Sequence, residues 1–310
     1  MEFQYKRMCV ENIRDFCVLY KSVYADTISE KKILQKYRSP YAHSDYFGNI
    51  AYHEERPIAF YGAIPVLMKH EDSIEMGAQS VDSMTHPNYR GLGLFTQLAK
   101  CTFLQLQKAG ITFIWGFTNQ NSMPIFKAKL NWNFAPNIRG YKIQVLTIPI
   151  EKLAKKSKPT KKYYDRLTEN YFSKYRVKKV PRGSVYMEKG VVSVQRDLSY
   201  YQQKSANKNY IIELEGCLFW IKTNNGLRIG DIEISSKKHF IKALLSLLKI
   251  AKRIGTSEII FQTSMHTFID DLFKNSGYTS FESWPIGYQN FSSKFPLDQL
   301  KFTLGDLDKF

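Results

Sequence analysis

Arg90, Gly91 and Gly93 lie where the local pattern changes from strand to helix. Residues 74–84 alternate as in a strand, and residues 94–109 have the apolar spacing of a helix. A strand that ends in a glycine-containing turn before a helix directs successive main-chain N–H groups toward one point, where the helix dipole favours an anion. Glycine permits close approach, and Arg90 adds positive charge. The junction predicts a pyrophosphate site, although the glycines would also suit an ordinary helix start.

Two other nucleotide-binding motifs do not fit this junction. A P-loop requires four residues between its glycines and then Lys-Ser/Thr, and no such pair follows Gly93. A dinucleotide-binding fingerprint requires a third glycine and an acidic residue after the next strand, and residues 111–118 supply neither. The loop therefore indicates a different kind of phosphate site.

The run Pro-Asn-Tyr-Arg-Gly-Leu-Gly-Leu-Phe at residues 87–95 resembles the coenzyme A loop of the GNAT superfamily of N-acetyltransferases. In that family a basic residue and two small residues at fixed spacing hold the pyrophosphate of acetyl-CoA. Arg90 and Gly93 match the basic residue and the first small residue, whereas Phe95 stands at the last small position. The resemblance implies acetyl-CoA as acyl donor and a set of cofactor-binding residues: Met84, Thr85, Arg90, Gly91, Leu92, Gly93, Leu94, Phe95 and Asn121.

The resemblance also implies roles within that set. The main chain of Met84 and Thr85 would pair with the pantetheine arm, and Asn121 would contact the cofactor. Lys127 falls where the family usually places its general-acid tyrosine, and Asn131-Trp132 replaces a Gly-Phe pair. Another tyrosine or water would then protonate the leaving thiolate.

Two residues are candidates for the catalytic base. Asp82, on the strand before the loop, is the first choice, and its alternative role is that of a salt-bridged carboxylate or a strand-end carboxylate. His86 is the second choice, but it precedes Pro87 and could only shape the turn. His43, His53 and His70 show no mutual spacing that suggests a metal site, and we expect none.

The order of predicted elements matches a GNAT domain over residues 1–148: strand 2–8, helices 10–24 and 29–37, strands 48–53, 58–69 and 74–84, helix 94–109, strand 111–117 and a short helix ending near residue 130. Residues 191–310 repeat that order, but residues 235–239, Ser-Ser-Lys-Lys-His, contain no glycine where the loop should be. We therefore predict an α/β protein of two tandem GNAT-like domains, each a mixed sheet flanked by helices. The second would be degenerate, and a basic connecting segment, 149–190, would join them.

The chain has 310 residues and a formal net charge of +17. Such an excess fits nucleic-acid binding, attraction to an anionic membrane or to the phosphates of coenzyme A, or simply a lysine-rich surface. The four cysteines lack paired or metal-type spacing and are expected to be reduced. No run of eighteen apolar residues and no signal stretch occurs, which predicts a cytoplasmic protein.

Three functions remain open at this point. The first is an acetyl-CoA-dependent N-acyltransferase acting on a small-molecule primary amine. The Gly-Leu-Phe ending of the loop is similar to tandem-domain and sugar-modifying GNAT members, which suggests an amino sugar of surface polysaccharide synthesis. The second is an aminoacyl-tRNA-dependent transferase, favoured by the charge but not by the loop. The third is an inactive coenzyme A-binding protein, favoured by Phe95 and Lys127.

Overall fold

The computed structural model describes residues 1–41, 46–120, 122–205, 208–223 and 225–310. The helices are α1 Ile13–Tyr24, α2 Glu30–Tyr37, α3 Leu94–Lys108, α4 Met123–Leu130, α5 Ile150–Ala154, α6 Lys158–Ser173, α7 Leu198–Ser205, α8 Lys237–Arg253 and α9 Phe268–Asn275. The strands are β1 Gln4–Arg7, β2 Phe47–His53, β3 Arg56–His70, β4 Ser73–Thr85, β5 Phe113–Phe117, β6 Asn133–Ala135, β7 Ile138–Gln144, β8 Val192–Val194, β9 Tyr210–Leu214, β10 Cys217–Thr223, β11 Leu227–Glu233, β12 Glu258–Ser264, β13 Thr279–Glu282 and β14 Ile286–Asn290.

The chain forms two compact units, and each includes a strand from the other half of the sequence. The first unit consists of Met1–Ala135 and Pro285–Leu300, and the second of Pro136–Trp284 and Lys301–Phe310. Strand β7 follows the first half in sequence but pairs with β12 and β13 of the second unit. Strand β14 comes from the second half and pairs with β5 and β6 of the first unit. Each sheet is therefore completed by a strand from the other half.

The two sheets have the same strand order from the second strand of the first sheet onward. In the first unit the order is β1-β2-β3-β4-β5-β14-β6, with β4 and β5 as a parallel pair. In the second the order is β9-β10-β11-β12-β7-β13, with β11 and β12 as a parallel pair. The predicted fold class, two tandem mixed sheets flanked by helices, is confirmed.

The core of the first unit is built on both faces of its sheet. On one face, Phe16 of α1 packs edge-on against Phe60, with ring centroids 4.8 Å apart. On the other, the buried stripe of α3, which includes Leu98 and Phe103, packs in one cluster with Ala59 and Tyr61. Alternate residues of β3 thus serve opposite faces, as the period of a strand requires. Strand β4 is held between these layers.

Residues 149–190, predicted as a connecting segment, contain two helices of the second unit. Helix α6 buries Tyr164, Thr168 and Phe172 at intervals of four residues, and Ser157 caps its N-terminus by accepting from the N–H of Thr160. Phe172 stacks on Tyr210 of β9 with centroids 5.5 Å apart. Four basic residues of this segment are therefore carried on a packed helix: Lys158, Lys161, Lys162 and Arg166. No helix among the described residues is long and apolar enough to span a bilayer.

Candidate active site

The C-terminal part of β4 extends beyond its pairing with β5. Their parallel pairing runs from Gly77–Phe113 to Gln79–Trp115, yet β4 continues to Thr85 and β5 to Phe117. Over the part of the chain that the structure describes, the last residues of β4 thus have no strand partner on the β5 side. The result is a free strand edge, and the space beside it, here called the gap, can accept an extended ligand that pairs with β4.

Thr85 directs its main-chain groups into this gap. The N–H of His86 donates to the carbonyl of Ile58 at 2.8 Å, and Thr85 lies opposite Ala59. Bonded and non-bonded pairs alternate along an antiparallel ladder, so the N–H and C=O of Thr85 point away from β3. Met84, opposite Phe60, bonds toward β3, and its side chain is buried. Met84 and Thr85 were both predicted to contact the cofactor through their main chain. Of the two, Thr85 is the residue whose main-chain N–H and C=O are not bonded to β3.

The loop after β4 exposes a row of N–H groups at the start of α3. Gly91 and Gly93 adopt φ values of 81° and 75°, a region that favours glycine. Gly93 is the N-cap of α3 and supplies no side-chain cap. Within the described ranges, the N–H groups of residues 91–95 have no hydrogen-bond acceptor. Several unpaired donors at the positive end of a fifteen-residue helix form a suitable cradle for a phosphate.

Arg90 and Leu92 flank this cradle with exposed side chains, whereas Leu94 points into the core. Phe95 also points inward, because its ring packs edge-on against Tyr61 at 5.5 Å and Phe126 at 5.2 Å. The large side chain at a position that is small in the GNAT pattern therefore does not cover the N–H groups. The main-chain N–H of Phe95 remains part of the row of N–H groups over residues 91–95.

Asp82 lies in a β-bulge of β4. Asp82 and Ser83 together stand opposite Tyr61, and Asp82 adopts φ 51°. A bulge redirects a side chain away from the regular alternation of a strand. The Asp82 carboxylate accepts hydrogen bonds from the Lys36 ammonium at 2.6 Å and the Tyr37 hydroxyl at 3.1 Å. Asp82 is therefore salt-bridged, as in its alternative role, and it lies on β4 three residues before Thr85.

Lys36 and Tyr37 are site residues that the sequence alone did not indicate. They occupy the last turn of α2, 46 and 45 residues before Asp82. The available signal was weak: a lysine and a tyrosine at a helix end, before Pro40. Their contact with Asp82 follows from the packing of α2 against the sheet, which no local pattern reports.

Two tyrosines of α1 lie in the electrostatic field of the Asp82–Lys36 pair. Tyr20 and Tyr24 are one helical turn apart, with ring centroids separated by 4.8 Å. Burial and then the Asp82 carboxylate raise the pKa of Tyr24, while Lys36 and Arg90 oppose the shift. The aromatic face of α1 therefore borders the same region as Asp82 and Arg90.

His86 and Tyr89 hold the shape of the turn before the loop. The Nδ1 atom of His86 accepts from the N–H of Asn88 at 3.3 Å, at the start of the 3-10 turn Pro87–Tyr89. The Tyr89 hydroxyl lies 3.0 Å from Nδ1 of His53, and its ring packs near His86. His86 thus has a capping role in the turn.

Asn121 lies outside the described residues. The neighbouring start of α4 is fixed by Asn119, whose Oδ1 accepts from the N–H of Ser122 at 2.9 Å. Lys127 is exposed on α4. Within the described ranges, no group of three or more His, Cys, Asp or Glu side chains is arranged to hold a metal ion.

Comparison with known families identifies the first unit. Residues 4–135 match the model of the GNAT acetyltransferase domain. The chain carries a GNAT acetyltransferase domain. The resemblance to the GNAT superfamily is thereby confirmed, and acyl transfer is the general class of reaction for this domain. The gap beside β4 and the glycine loop lie within the matched residues of the GNAT domain.

Solved structures with the same fold extend over nearly the whole chain. A conserved protein of unknown function from Enterococcus faecalis V583, a probable N-acyltransferase, has 13% identity and a TM-score of 0.62, covering 94% of this chain and 73% of that one. A GCN5-related N-acetyltransferase from Anabaena variabilis has 12% identity and a TM-score of 0.59, with coverage of 94% and 73%.

A third similar structure is Saccharomyces cerevisiae N-myristoyltransferase with bound myristoyl-CoA, at 13% identity and a TM-score of 0.56, with coverage of 94% and 84%. At these identities the likeness shows the fold, including its tandem arrangement. Among curated proteins, no sequence matches the chain.

Proposed function

We propose that the first unit transfers an acetyl group from acetyl-CoA to a primary amine. The observation that carries the proposal is the row of unpaired N–H groups over residues 91–95, beside Arg90 and the free edge of β4. The pyrophosphate would sit on that row, and the pantetheine arm would pair with the main chain of Thr85 in the gap. Asn121, by family resemblance, would contact the same arm.

Asp82 is the proposed base. It would take a proton from the acceptor ammonium, and the neutral amine would attack the thioester carbonyl carbon. The C–S bond would then break, and the coenzyme A thiolate would take a proton from a nearby tyrosine or from water. Lys36 and Tyr37 hold the carboxylate in place through the hydrogen bonds at 2.6 and 3.1 Å. His86 is second choice, because its Nδ1 already caps the turn.

The acceptor that we propose to test first is an amino sugar of surface polysaccharide synthesis. The subgroup resemblance of the Gly-Leu-Phe ending supports it, and so do the rings of Tyr20 and Tyr24 near Asp82, since sugar rings pack on aromatic faces. The proposed compartment is the cytoplasm, where acetyl-CoA is available.

The decisive experiment measures acetyl-CoA binding by calorimetry in the wild type, Arg90→Glu and Arg14→Glu. Arg14 makes the same charge change on an exposed residue near the start of α1, about 15 Å along the helix from Tyr24. A charge-assisted hydrogen bond contributes about 1.5–3 kcal/mol, so we expect Arg90→Glu alone to weaken binding by roughly tenfold or more. Equal affinity in all three proteins would place the cofactor elsewhere.

Two further outcomes separate the other functions. Acetyl-CoA binding without turnover on any amine would favour the inactive coenzyme A-binding protein, whose support is the exposed Lys127 at the family's tyrosine position. Thermal stabilisation by transfer RNA and not by acetyl-CoA would favour the aminoacyl-tRNA-dependent transferase.

A further inference from the structure

The positive charge of the chain is concentrated in one segment of the second unit. Residues 146–182 contain twelve Lys and Arg against three acidic residues, a net charge of +9 out of the +17 of the chain. Two of these lysines are neutralised: Lys155 pairs with the buried Glu151 at 2.6 Å and Lys179 with Glu213 at 2.9 Å. The remainder of the segment keeps a large excess of charge.

Six basic side chains of this segment have no acidic partner within the described ranges and are exposed: Lys152, Lys156, Lys158, Lys161, Lys162 and Arg166. They lie on α5, on α6 and on the short turn between the two helices. Because α5 and α6 pack on each other, these charges form one basic area.

The same segment exposes large apolar side chains. Leu146 is 94% exposed and Ile148 is 71% exposed, and four more follow within the next twenty residues: Ile150, Leu153, Tyr163 and Leu167. A single exposed leucine is ordinary, but a sequence-local group of six beside unpaired lysines marks an interaction surface. We call residues 146–167 the basic-apolar surface.

The backbone of this surface is anchored to the body of the second unit. The N–H of Val145 donates to the carbonyl of Ser257 at 2.9 Å, and that of Glu151 to Gly255 at 3.2 Å. The Thr147 hydroxyl donates to the carbonyl of Lys252 at 2.9 Å. Leu146 and Ile148 are thus held in exposed positions before and after Thr147, which is fixed by this hydrogen bond.

Helix α6 repeats the combination of charge and apolar area. Its inward stripe is Tyr164, Thr168 and Phe172, so Tyr163 and Leu167, one turn apart, lie on an outer flank. Arg166 is next to Leu167, and Lys162 is next to Tyr163. A long basic side chain can lay its aliphatic stem along an apolar layer while its charged end reaches an anionic layer. Basic and apolar side chains side by side therefore suit a surface that has both layers.

We propose that the basic-apolar surface docks on an anionic lipid bilayer. Lysines near an anionic leaflet each contribute roughly 1 kcal/mol, and aliphatic side chains enter the boundary between headgroups and acyl chains. A surface for single-stranded nucleic acid fits less well, because such surfaces stack the bases on aromatic rings. Here five of the six exposed apolar side chains are aliphatic.

The test is co-sedimentation of the full chain with phosphatidylcholine vesicles that contain or lack phosphatidylglycerol, at physiological and at high salt. We expect binding only to the anionic vesicles, weakened by salt. The double variant Leu146→Ser/Ile148→Ser keeps the net charge, and we expect it to lower partitioning by roughly tenfold or more. Leu104→Ser/Ile125→Ser, which changes two exposed apolar residues of the first unit, serves as its control and should bind normally.

A matched pair of charge variants completes the experiment. Neutralising Lys152, Lys156, Lys161 and Lys162 to Gln should abolish binding, whereas neutralising the exposed first-unit residues Lys100, Lys108, Lys129 and Lys294 should not. No vesicle binding would overturn the proposal, and so would equal loss in both sets. Binding to single-stranded RNA or transfer RNA without vesicle binding would overturn it in favour of a nucleic-acid partner.

Discussion

Each unit has a bulge in the strand that also pairs in parallel with the next strand of its sheet, and the two bulges differ in what occupies them. In the first unit the bulge carries Asp82 opposite Tyr61, and the Asp82 carboxylate accepts a hydrogen bond from Lys36. In the second unit the register shifts between Trp220 and Ile221, with Gly230 as the extra residue. A Cβ added to Gly230 would clash with the ring of Phe310, so that ring fills the position. Only the first bulge presents a reactive group.

The N-termini of the corresponding helices α3 and α8 also differ, because only that of α8 is capped by a side chain. Helix α3 begins at Gly93, which has no side-chain cap. Helix α8 begins at Ser236, whose hydroxyl oxygen accepts from the N–H of His239 at 3.2 Å. The loop before α8 has no glycine, and its serines also lie within 3.0 Å of the His239 ring. The second helix end is capped by the chain itself, whereas the first is left for a ligand.

Residues 301–310 pack over the bulge at Gly230 of the second unit. Phe310 packs edge-on against Trp220 with centroids 4.9 Å apart. Arg196, fully buried, pairs with Asp231 and with Asp306, the latter at 2.7 Å. A buried arginine between two carboxylates holds this arrangement together. The two units thus share a fold, but the bulge of the second unit is covered by buried side chains.

The largest expected effect tests whether the open bulge performs the chemistry. Asp82→Asn keeps the side-chain shape and tolerates φ 51°, but it removes the charge. Loss of a general base lowers kcat by about 10²–10⁴-fold, and we expect acetyl-CoA affinity to be unchanged. Steady-state acetylation of amine acceptors, with Asp72→Asn in an exposed turn as control, measures it. A kcat equal to wild type would remove Asp82 from the mechanism.

The next effect tests whether the closed bulge is structural. Arg196→Met leaves Asp231 and Asp306 buried without their cation, which costs about 3–5 kcal/mol in the free energy of unfolding. Lys179→Met removes an exposed partner of Glu213 in the same unit and should cost about 0–1 kcal/mol. Urea unfolding followed by tryptophan fluorescence compares the two midpoints. Similar midpoints would mean that the buried network contributes little.

The sequence predicts the elements and the repeat but not the strand exchange. Helices α3 and α8 and the strands before them follow from periodicity, because each is a strongly patterned local segment. Strands β7 and β14 are short and could pair with either sheet, since register depends on contacts across more than a hundred residues. No local signal distinguishes the two pairings.

The candidate site divides in the same way. The positive φ of Gly91 and Gly93 follows from residue type and position, so the loop could be proposed from the sequence. The contact of Lys36 with Asp82 joins residues 46 positions apart and depends on how α2 packs. The inward orientation of Phe95 depends on the rings of Tyr61 and Phe126 around it, which the pattern of small residues does not report.

The smallest expected effect distinguishes backbone strain at the ends of α3 from loss of acetyl-CoA binding at its N-terminus. Gly93 and Gly110 stand at opposite ends of the helix with φ values of 75° and 78°, and an added Cβ would meet no atom within 4 Å at either. An alanine at positive φ costs roughly 1–2 kcal/mol, so both variants should lose that stability. Only Gly93→Ala puts a methyl group beside the N–H row, and we expect its acetyl-CoA affinity alone to fall, by about tenfold. If Gly110→Ala weakened binding equally, strain in the helix would explain both results and the N–H row would no longer be the cradle.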